Sequence, residues 1–210
     1  MLDYLRTSSD YLFQALMEHV EISGLAMVFA LIFASISAVF LLFHEEIRQA
    51  SVYLLSLLYA VPSFALFALL IPLTGLGRTT AIIVLVLYAQ YSLVRTFLEG
   101  FLQVDSAIIE AARGMGMTDW QVFLKIQLPL AKSSVFAGLR LASSSIIAIA
   151  TIASTINAGG LGTILFDGLR TMSMTKLVWG IFLTVGLSLL FNLILYLIEE
   201  LLKEDKLVAR

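Results

Sequence analysis

The chain has 210 residues, of which 60% are hydrophobic and only 13% are charged. Soluble domains average roughly 45–50% apolar and about 25% charged residues, so this composition excludes an ordinary soluble protein and predicts an integral membrane protein. A net charge of −2 gives no basic surface for nucleic acid, and the absence of cysteine excludes disulfides, thiolate metal sites and cysteine nucleophiles.

Residues 1–21 precede the first long apolar run and carry several charges, so they do not match a cleavable signal peptide. Apolar residues recur in this segment near helical spacing, at Leu5, Leu12, Leu16 and Val20. We therefore expect residues 1–21 to form an amphipathic helix that lies in the membrane interface, separate from the spans.

A bilayer core requires roughly 20 residues of helix, and five apolar stretches qualify as spans. Thr79–Val94 is slightly short, and the long side chain of Arg95 extends it by snorkelling. Backbone groups in lipid must be satisfied within the segment, so these stretches predict helices, a transmembrane domain over residues 22–198 and a tail over 199–210. Pro62 interrupts the second stretch, where its kink either lines a pathway or serves packing alone. The stretches are Ile22–Phe43, Val52–Leu70, Thr79–Val94, Ala131–Ile156 and Leu177–Ile198.

The distribution of basic residues predicts the orientation of these spans. If the polar loop at about 96–130 is cytoplasmic, eight Lys and Arg residues lie on that side and four on the other. This bias favours an N-terminus outside and a C-terminus inside the cell. Arg140 lies within the fourth span, where it either extends to the headgroups or has a role in a pore or interface.

The polar loop contains residues 105–129, whose pattern predicts two short helices. Asp105 or Ser106 is suited to cap the first helix, because its side-chain oxygen accepts from unpaired backbone N–H groups. Thr118 and Gln121 match a capping box at the start of the second helix. A sharp turn between the two helices is therefore expected.

Small residues mark the end of the first of these helices. Gly114 and Gly116 are both suited to the positive φ that ends a helix. Ala111 and Ala112 leave a slim face to which another surface has close access. The alternative is an ordinary loop helix that packs only on its own chain.

The letters EAARGMGMTDWQVFLKIQLP at residues 110–129 resemble the EAA loop of permease subunits in binding-protein-dependent ABC importers. The resemblance implies an all-α membrane protein with the MetI-like permease fold, five transmembrane helices and a cytoplasmic coupling helix that binds a cleft of an ATPase subunit. The coupling residues that it implies are Glu110, Ala111, Ala112, Gly114, Gly116, Ile126, Leu128 and Pro129.

Three further stretches resemble the osmoprotectant branch of these permeases, which imports glycine betaine, choline, carnitine and related quaternary ammonium compounds. They are PSFALFALLIPLTGLG at 62–77, LYAQYSLVRTFLEG at 87–100 and NAGGLG at 157–162. Residues 78–81 and 90–93 lack the proline that family members often carry in those regions, so we expect a different helix shape near the pathway.

The branch resemblance directs attention to aromatic residues within the spans, because aromatic faces bind quaternary ammonium groups. The glycine-rich stretch 151–168 lacks the preceding strand and the Gly-Lys-Ser/Thr sequence of a phosphate loop. We expect a helix end and an outer turn there, with polar side chains facing a wet interior. Packing and simple helix termination are the alternatives for these candidates, which are Tyr59, Phe64, Phe67, Tyr88, Tyr91, Ser154, Thr155 and Asn157.

The resemblance also implies the partners: a second permease subunit, identical or homologous, two ATPase subunits that hold ATP and Mg²⁺, and an extracytoplasmic substrate-binding protein. This chain would itself hold no catalytic residue, metal or cofactor. Its histidines, His19 and His44, lie at span edges, where solvated or interfacial roles are expected. The sequence ends at Arg210, so we expect the binding protein to be a separate chain or attached to a partner permease.

The family resemblance and the span pattern leave three alternative functions to compare. A related ABC importer for methionine or another amino-acid derivative would have the same plan of five spans. An ion-coupled secondary transporter usually carries acidic residues or broken helices at mid-membrane, and no carboxylate lies inside the five predicted stretches. A membrane-embedded enzyme would require an intramembrane cluster of His, Asp or Glu, which the spans lack.

Overall fold

The computed structural model describes residues 2–204, and every regular element within that range is helical. A π-helical turn (Phe123–Gln127) and a 3₁₀ turn (Ser154–Ile156) supplement the α-helices. Residues 205–210 of the expected tail lie outside the described range. The helices are α1 (Leu2–Thr7), α2 (Ser9–Phe43), α3 (Glu45–Ala60), α4 (Ser63–Thr74), α5 (Arg78–Leu102), α6 (Ser106–Gly114), α7 (Asp119–Val122), α8 (Leu128–Leu130), α9 (Lys132–Ala153), α10 (Gly162–Arg170) and α11 (Met174–Glu204).

Four of these helices, α2, α5, α9 and α11, are each long and apolar enough to cross a membrane. Helices α3 and α4 form a fifth candidate span that is bent by 94°. The bend follows from Pro62: a residue before proline disfavours helical φ and ψ, and Val61 is accordingly extended, with ψ of 130°. The second predicted span is therefore two helices that meet nearly at a right angle.

The N-terminal segment differs from the separate interfacial helix that the sequence predicts. After the short α1, residues 9–21 continue without interruption into the first span as a single helix of 35 residues. Proline, the strongest helix breaker, is absent between Ser9 and Phe43. Leu12 and Ala15 are buried against Ile147 and Leu161, so this part of α2 packs on the protein itself.

The centre of the bundle is the contact of α2 with α5. A stripe of alanines spaced four residues apart on α2 is fully buried, and it lies in one core with Ala81 and Leu85 of α5. Small side chains permit close backbone approach, which is how helices associate when lipid provides no hydrophobic drive. The stripe consists of Ala26, Ala30, Ala34 and Ala38.

Helix α11 lies at the edge of the bundle and packs on α9 and α10. Its most apolar window is only 6% buried, so most of its surface is available to lipid or to another subunit. Arg140 on α9 forms an ion pair with Glu199 on α11. The charge within the fourth span is thus neutralised by a carboxylate from a neighbouring helix, and the carboxylate itself is buried.

Candidate coupling and translocation sites

We call residues 103–131 the elbow; they connect α5 to α9 at one end of the bundle. The first elbow helix, α6, begins at Asp105, whose Oδ1 accepts from the backbone N–H of Ala107 at 2.9 Å. Of the two predicted caps, Asp105 therefore has this role and Ser106 is the first helical residue. An N-cap of this kind contributes about 1 kcal/mol to helix stability.

The turn that ends α6 is formed by Gly116, which has φ of +85°. The N–H of Met117 donates to the carbonyl of Ala112 at 3.1 Å across this glycine, as in a Schellman ending. The positive φ expected at Gly114 is wrong, because Gly114 is the last residue of α6 and has no positive φ. One left-handed residue is sufficient to reverse the chain here.

The second elbow helix, α7, begins with the predicted capping box. Thr118 Oγ1 accepts from the N–H of Gln121 at 3.3 Å, and Gln121 Oε1 accepts from the N–H of Thr118 at 2.9 Å. The two helices are also linked by Arg113, whose Nε and Nη2 donate to Asp119 Oδ1 at 3.0 and 2.8 Å. Both side chains are exposed, so this pair orients the elbow more than it stabilises it.

The outer face of α6 is slim and exposed. Glu110 and Ala111 face solvent, whereas Ala112 is fully buried against the protein. Of the two alanines predicted to form a slim face, only Ala111 lies on it. Ala107, one turn earlier, is the second small residue of that face. The two adjacent alanines have different surroundings because successive helical residues point about 100° apart.

The remaining predicted coupling residues lie in the second half of the elbow. Ile126 is half-buried in the π-helical turn, and Leu128 and Pro129 lie in α8, where Leu128 is partly exposed. Gln127 Nε2 donates to the carbonyl of Phe101 at 3.2 Å. This contact ties the π-helical turn to the end of α5.

An aromatic cluster attaches the elbow to the bundle. The ring of Phe123 lies 5.2 Å from that of Phe101 on α5, 5.4 Å from that of Trp120 and 6.3 Å from that of Phe43 at the end of α2. Phe123 is 3% exposed. No local sequence pattern identifies the partners of Phe123, because Phe43 and Phe101 come from two other helices.

A second cluster lies at the break between α3 and α4. The ring of Tyr59 lies 5.7 Å from that of Tyr88 and 5.3 Å from that of Tyr91. The hydroxyl of Tyr88 donates to the carbonyl of Val61, a group that the break leaves without a helical partner. Tyr88 is ten residues from the start of α5, or about 15 Å along the helix, which is about half of a bilayer core.

The other two aromatic candidates do not join this cluster in the described contacts. Phe67 is fully buried in the core, so it serves packing. Phe64 is 60% exposed at the start of α4. The structure therefore groups three of the five aromatic candidates, and all three are tyrosines.

The glycine-rich turn lies at the opposite end of the bundle from the elbow. The hydroxyls of Ser154 and Thr155 donate to carbonyls of the preceding helical turn, at 2.8 and 2.7 Å. Asn157 is exposed and left-handed, with φ of 63°. A helix end and a turn are therefore present as predicted.

Two side chains of α2 hold this turn in place. Glu18 Oε2 accepts from the N–H of Gly160 at 3.0 Å, and His19 Nδ1 accepts from the N–H of Leu161 at 3.2 Å. His19 Nε2 then donates to the carbonyl of Ile147 at 3.1 Å. The solvated or interfacial role expected for His19 is wrong, because its side chain is 1% exposed and engaged at both nitrogens.

Helix α10 is joined to α11 by a network around Asp167. Its carboxylate accepts from Lys176 Nζ at 2.6 Å and from Arg170 Nη2 at 2.9 Å. The hydrogen bond from Lys176 and that from Arg170 hold the pKa of Asp167 below its ordinary value of 3.8. Among residues 2–204, no group of three or more His, Asp or Glu side chains is arranged to hold a metal ion.

Long apolar helices, polar loops between them and a polar elbow at one end define a multi-pass membrane protein. Residues 11–206 match the family described as "Binding-protein-dependent transport system inner membrane component", and the chain belongs to this family. This result confirms the family resemblance and the multi-pass membrane location that the sequence predicts.

Curated relatives agree with the family. The Carnitine transport permease protein OpuCB of Listeria monocytogenes is 38% identical over 73% of this chain and 70% of the relative. The Carnitine transport permease protein OpuCD of the same species is 30% identical over 98% of this chain and 93% of the relative. The Glycine betaine/carnitine/choline transport system permease protein OpuCB of Bacillus subtilis (strain 168) is 30% identical over 95% of this chain and 92% of the relative.

Solved structures of the same fold come from transporters of amino acids. An inward-facing form of the MetNI methionine ABC transporter has a TM-score of 0.84 at 20% identity, covering 91% of this chain and 96% of that chain. An amino acid ABC transporter with histidines has a TM-score of 0.78 at 16% identity, covering 93% and 96%. These likenesses confirm the MetI-like permease fold.

Proposed function

We propose that this chain is the permease subunit of an ABC importer that moves quaternary ammonium osmoprotectants, such as carnitine, glycine betaine or choline, into the cell. The family membership supports the importer class. The names of the relatives, which cover most of this chain at 30–38% identity, support the substrate class. The same names favour osmoprotectants over methionine, because the likeness to the methionine transporter is at 20% identity.

The elbow is the proposed site of contact with the ATPase. The observation that carries this assignment is the exposed face of α6, where Glu110 and Ala111 lie outward while Phe123 anchors the elbow to α2 and α5. A partner that binds the slim face moves the anchored helices with it. We propose that Gly114, Gly116, Ile126, Leu128 and Pro129 shape this surface, with Ala112 as its internal support.

The assembly follows from the same assignment. Two ATPase subunits bind ATP and Mg²⁺ and dock on the elbows of two permease subunits, which places the elbow in the cytoplasm and the turn at residues 154–161 outside. ATP binding closes the ATPases and opens the pathway outward to a loaded binding protein, and hydrolysis resets it inward. The chain supplies the pathway and no catalytic group.

The test separates coupling from insertion. Glu110→Lys places a cation on the proposed contact surface, and Gly116→Val introduces a side chain at φ of +85°, where only backbone strain opposes it. Both variants are expected to insert normally and to lose uptake driven by ATP in proteoliposomes. Glu46→Lys makes the same charge change at the start of α3, outside the elbow, and serves as the control. Normal uptake by both elbow variants would contradict the proposal.

A further inference from the structure

The tyrosine cluster continues into a charged groove between α3 and α5. One turn along α5 from Tyr91 lies Arg95, and one turn further lies Glu99. Arg95 and Glu99 line a cavity of about 510 Å³, to which α3 contributes Arg48 and Val52. Tyr59 lies two turns along α3 from Val52, so the cavity and the tyrosines occupy one continuous seam.

Arg95 links the two parts of this seam. Its Nη1 donates to the hydroxyl of Tyr91 at 2.7 Å, and its Nε donates to Glu99 Oε1 at 2.7 Å. Its guanidinium carbon lies 5.9 Å from the centre of the Tyr91 ring. The guanidinium has five N–H donors, of which these bonds use two, so three remain to bind an anion.

The exposure of these side chains requires a polar environment. About half of the side-chain surface of Arg95 and of Glu99 is exposed, at 53% and 51%. Ionised side chains within a span avoid lipid and face a bundle interior or a water-filled cavity. The seam therefore faces a bundle interior or a water-filled cavity and not lipid. A water-filled cavity at this position would admit a polar solute.

The two kinds of group in the seam match the two ends of one class of solute. Aromatic faces attract a quaternary ammonium group that lies within about 6 Å of the ring centre. A guanidinium binds a carboxylate through charge-assisted hydrogen bonds. Two tyrosine hydroxyls of the seam are already engaged, that of Tyr88 with Val61 and that of Tyr91 with Arg95, which fixes these two rings.

We propose that Tyr59, Tyr91 and Arg95, supported from behind by the buried Tyr88, form a substrate site for zwitterions that carry both a quaternary ammonium group and a carboxylate. The site extends from mid-membrane towards the elbow end of α5. Tyr59 and Tyr91 hold the cationic end and Arg95 holds the carboxylate. Choline, which has the ammonium group without a carboxylate, binds this site more weakly. The inference rests on the proposed function and adds selectivity to the permease itself.

The second arginine of the cavity has a different role. Arg48 Nε and Nη2 donate to the carbonyls of Leu41 and Leu42, both at 2.8 Å. These carbonyls belong to the last turn of α2 and have no helical partner of their own. Arg48 thus caps a helix, and the selective role falls to Arg95.

The test measures binding to the detergent-purified complex of permease and ATPase without the binding protein. Labelled glycine betaine is the probe, and unlabelled glycine betaine and choline compete for it. We expect glycine betaine to compete about tenfold better than choline in the unmodified complex, as one charge-assisted interaction predicts. Arg95→Gln is expected to remove this advantage and Arg95→Lys to retain part of it.

The tyrosines are tested in the same assay. Tyr59→Ala is expected to weaken the binding of both glycine betaine and choline about tenfold, because it removes an aromatic face that binds the ammonium group the two compounds share. Tyr53→Ala on the same helix replaces a tyrosine that is 63% exposed, and it serves as the control. Stimulated ATPase activity of each variant shows that it is folded.

Three results would overturn the proposed site: no binding of glycine betaine to the unmodified complex, equal competition by the two compounds, or an advantage that survives Arg95→Gln. ATP-driven uptake of glycine betaine by the full importer with its binding protein is measured separately. Absence of that uptake counts against the proposed function, whereas normal uptake combined with any of the three results counts against the site alone.

Discussion

Replacement of Phe123 by alanine removes the side chain through which the elbow contacts α2 and α5. Phe123 is 3% exposed, and its ring lies within 6.3 Å of the rings of Phe43, Phe101 and Trp120. A buried Phe→Ala substitution costs about 3–5 kcal/mol, and each ring pair contributes about 0.5–1.5 kcal/mol beyond its buried area. At the lower limit of about 3 kcal/mol, the equilibrium between attached and detached elbow shifts about a hundredfold.

The consequence is a loss of coupling without a loss of docking. The exposed face at Glu110 and Ala111 does not include Phe123, so we expect the ATPase to remain bound to Phe123→Ala. Substrate uptake per ATP hydrolysed, measured in proteoliposomes with the binding protein present, is expected to fall at least about tenfold. Leu124→Ala alters the next residue, which is 43% exposed, and is expected to leave this ratio unchanged.

Two results would refute this reasoning. If Phe123→Ala imports as much substrate per ATP as the unmodified protein, the aromatic cluster does not transmit force. If Phe123→Ala and Leu124→Ala lower the ratio equally, the effect does not arise from the buried ring.

Three further predictions concern contacts away from the elbow. Gly160→Ala adds a Cβ 2.9 Å from His19 Nδ1 at φ of +83°, so it should lower stability by roughly 1–2 kcal/mol or more in thermal unfolding; an unchanged midpoint would contradict the contact. Glu199→Leu should destabilise by about 3 kcal/mol because it leaves Arg140 unpaired, while the double variant with Arg140→Leu recovers most of the loss; equal destabilisation in both would exclude the pair. Because the pKa of Asp167 is lowered, its ion pairs form above its ordinary pKa and are lost only as pH falls through the lowered value, so Asp167→Asn should lower the unfolding midpoint equally at pH 7 and pH 5. If Asp167→Asn lowers the unfolding midpoint at pH 7 but not at pH 5, the lowered pKa of Asp167 is contradicted.

Local chemistry explains what the sequence predicts correctly. The capping box at Thr118 and Gln121 and the cap at Asp105 depend on neighbours within three residues. The break at Pro62 follows from the missing N–H and from the restriction on the preceding residue, but its angle of 94° depends on how α4 packs. The five apolar stretches follow from composition and approximate length, which depend on neighbouring residues alone.

Contacts between distant segments explain what the sequence does not predict. Glu18 and His19 bind a turn that is 142 residues away, and Arg140 pairs with a carboxylate 59 residues away. No local pattern specifies such partners. The continuity of residues 9–21 with the first span has the same origin, because burial of Leu12 on other helices decides it.

The separation of Ala111 from Ala112 provides the most direct test of the proposed coupling surface. The chain has no cysteine, so a single cysteine at either position reports on that position alone. Ala111→Cys, on the exposed face, should react with a membrane-impermeant maleimide in inside-out vesicles and not in intact cells, and the bound ATPase should protect it. Ala112→Cys, at a fully buried position, should react far more slowly. Labelling of Ala111→Cys from outside the cell, or labelling that the ATPase leaves unchanged, would contradict the account.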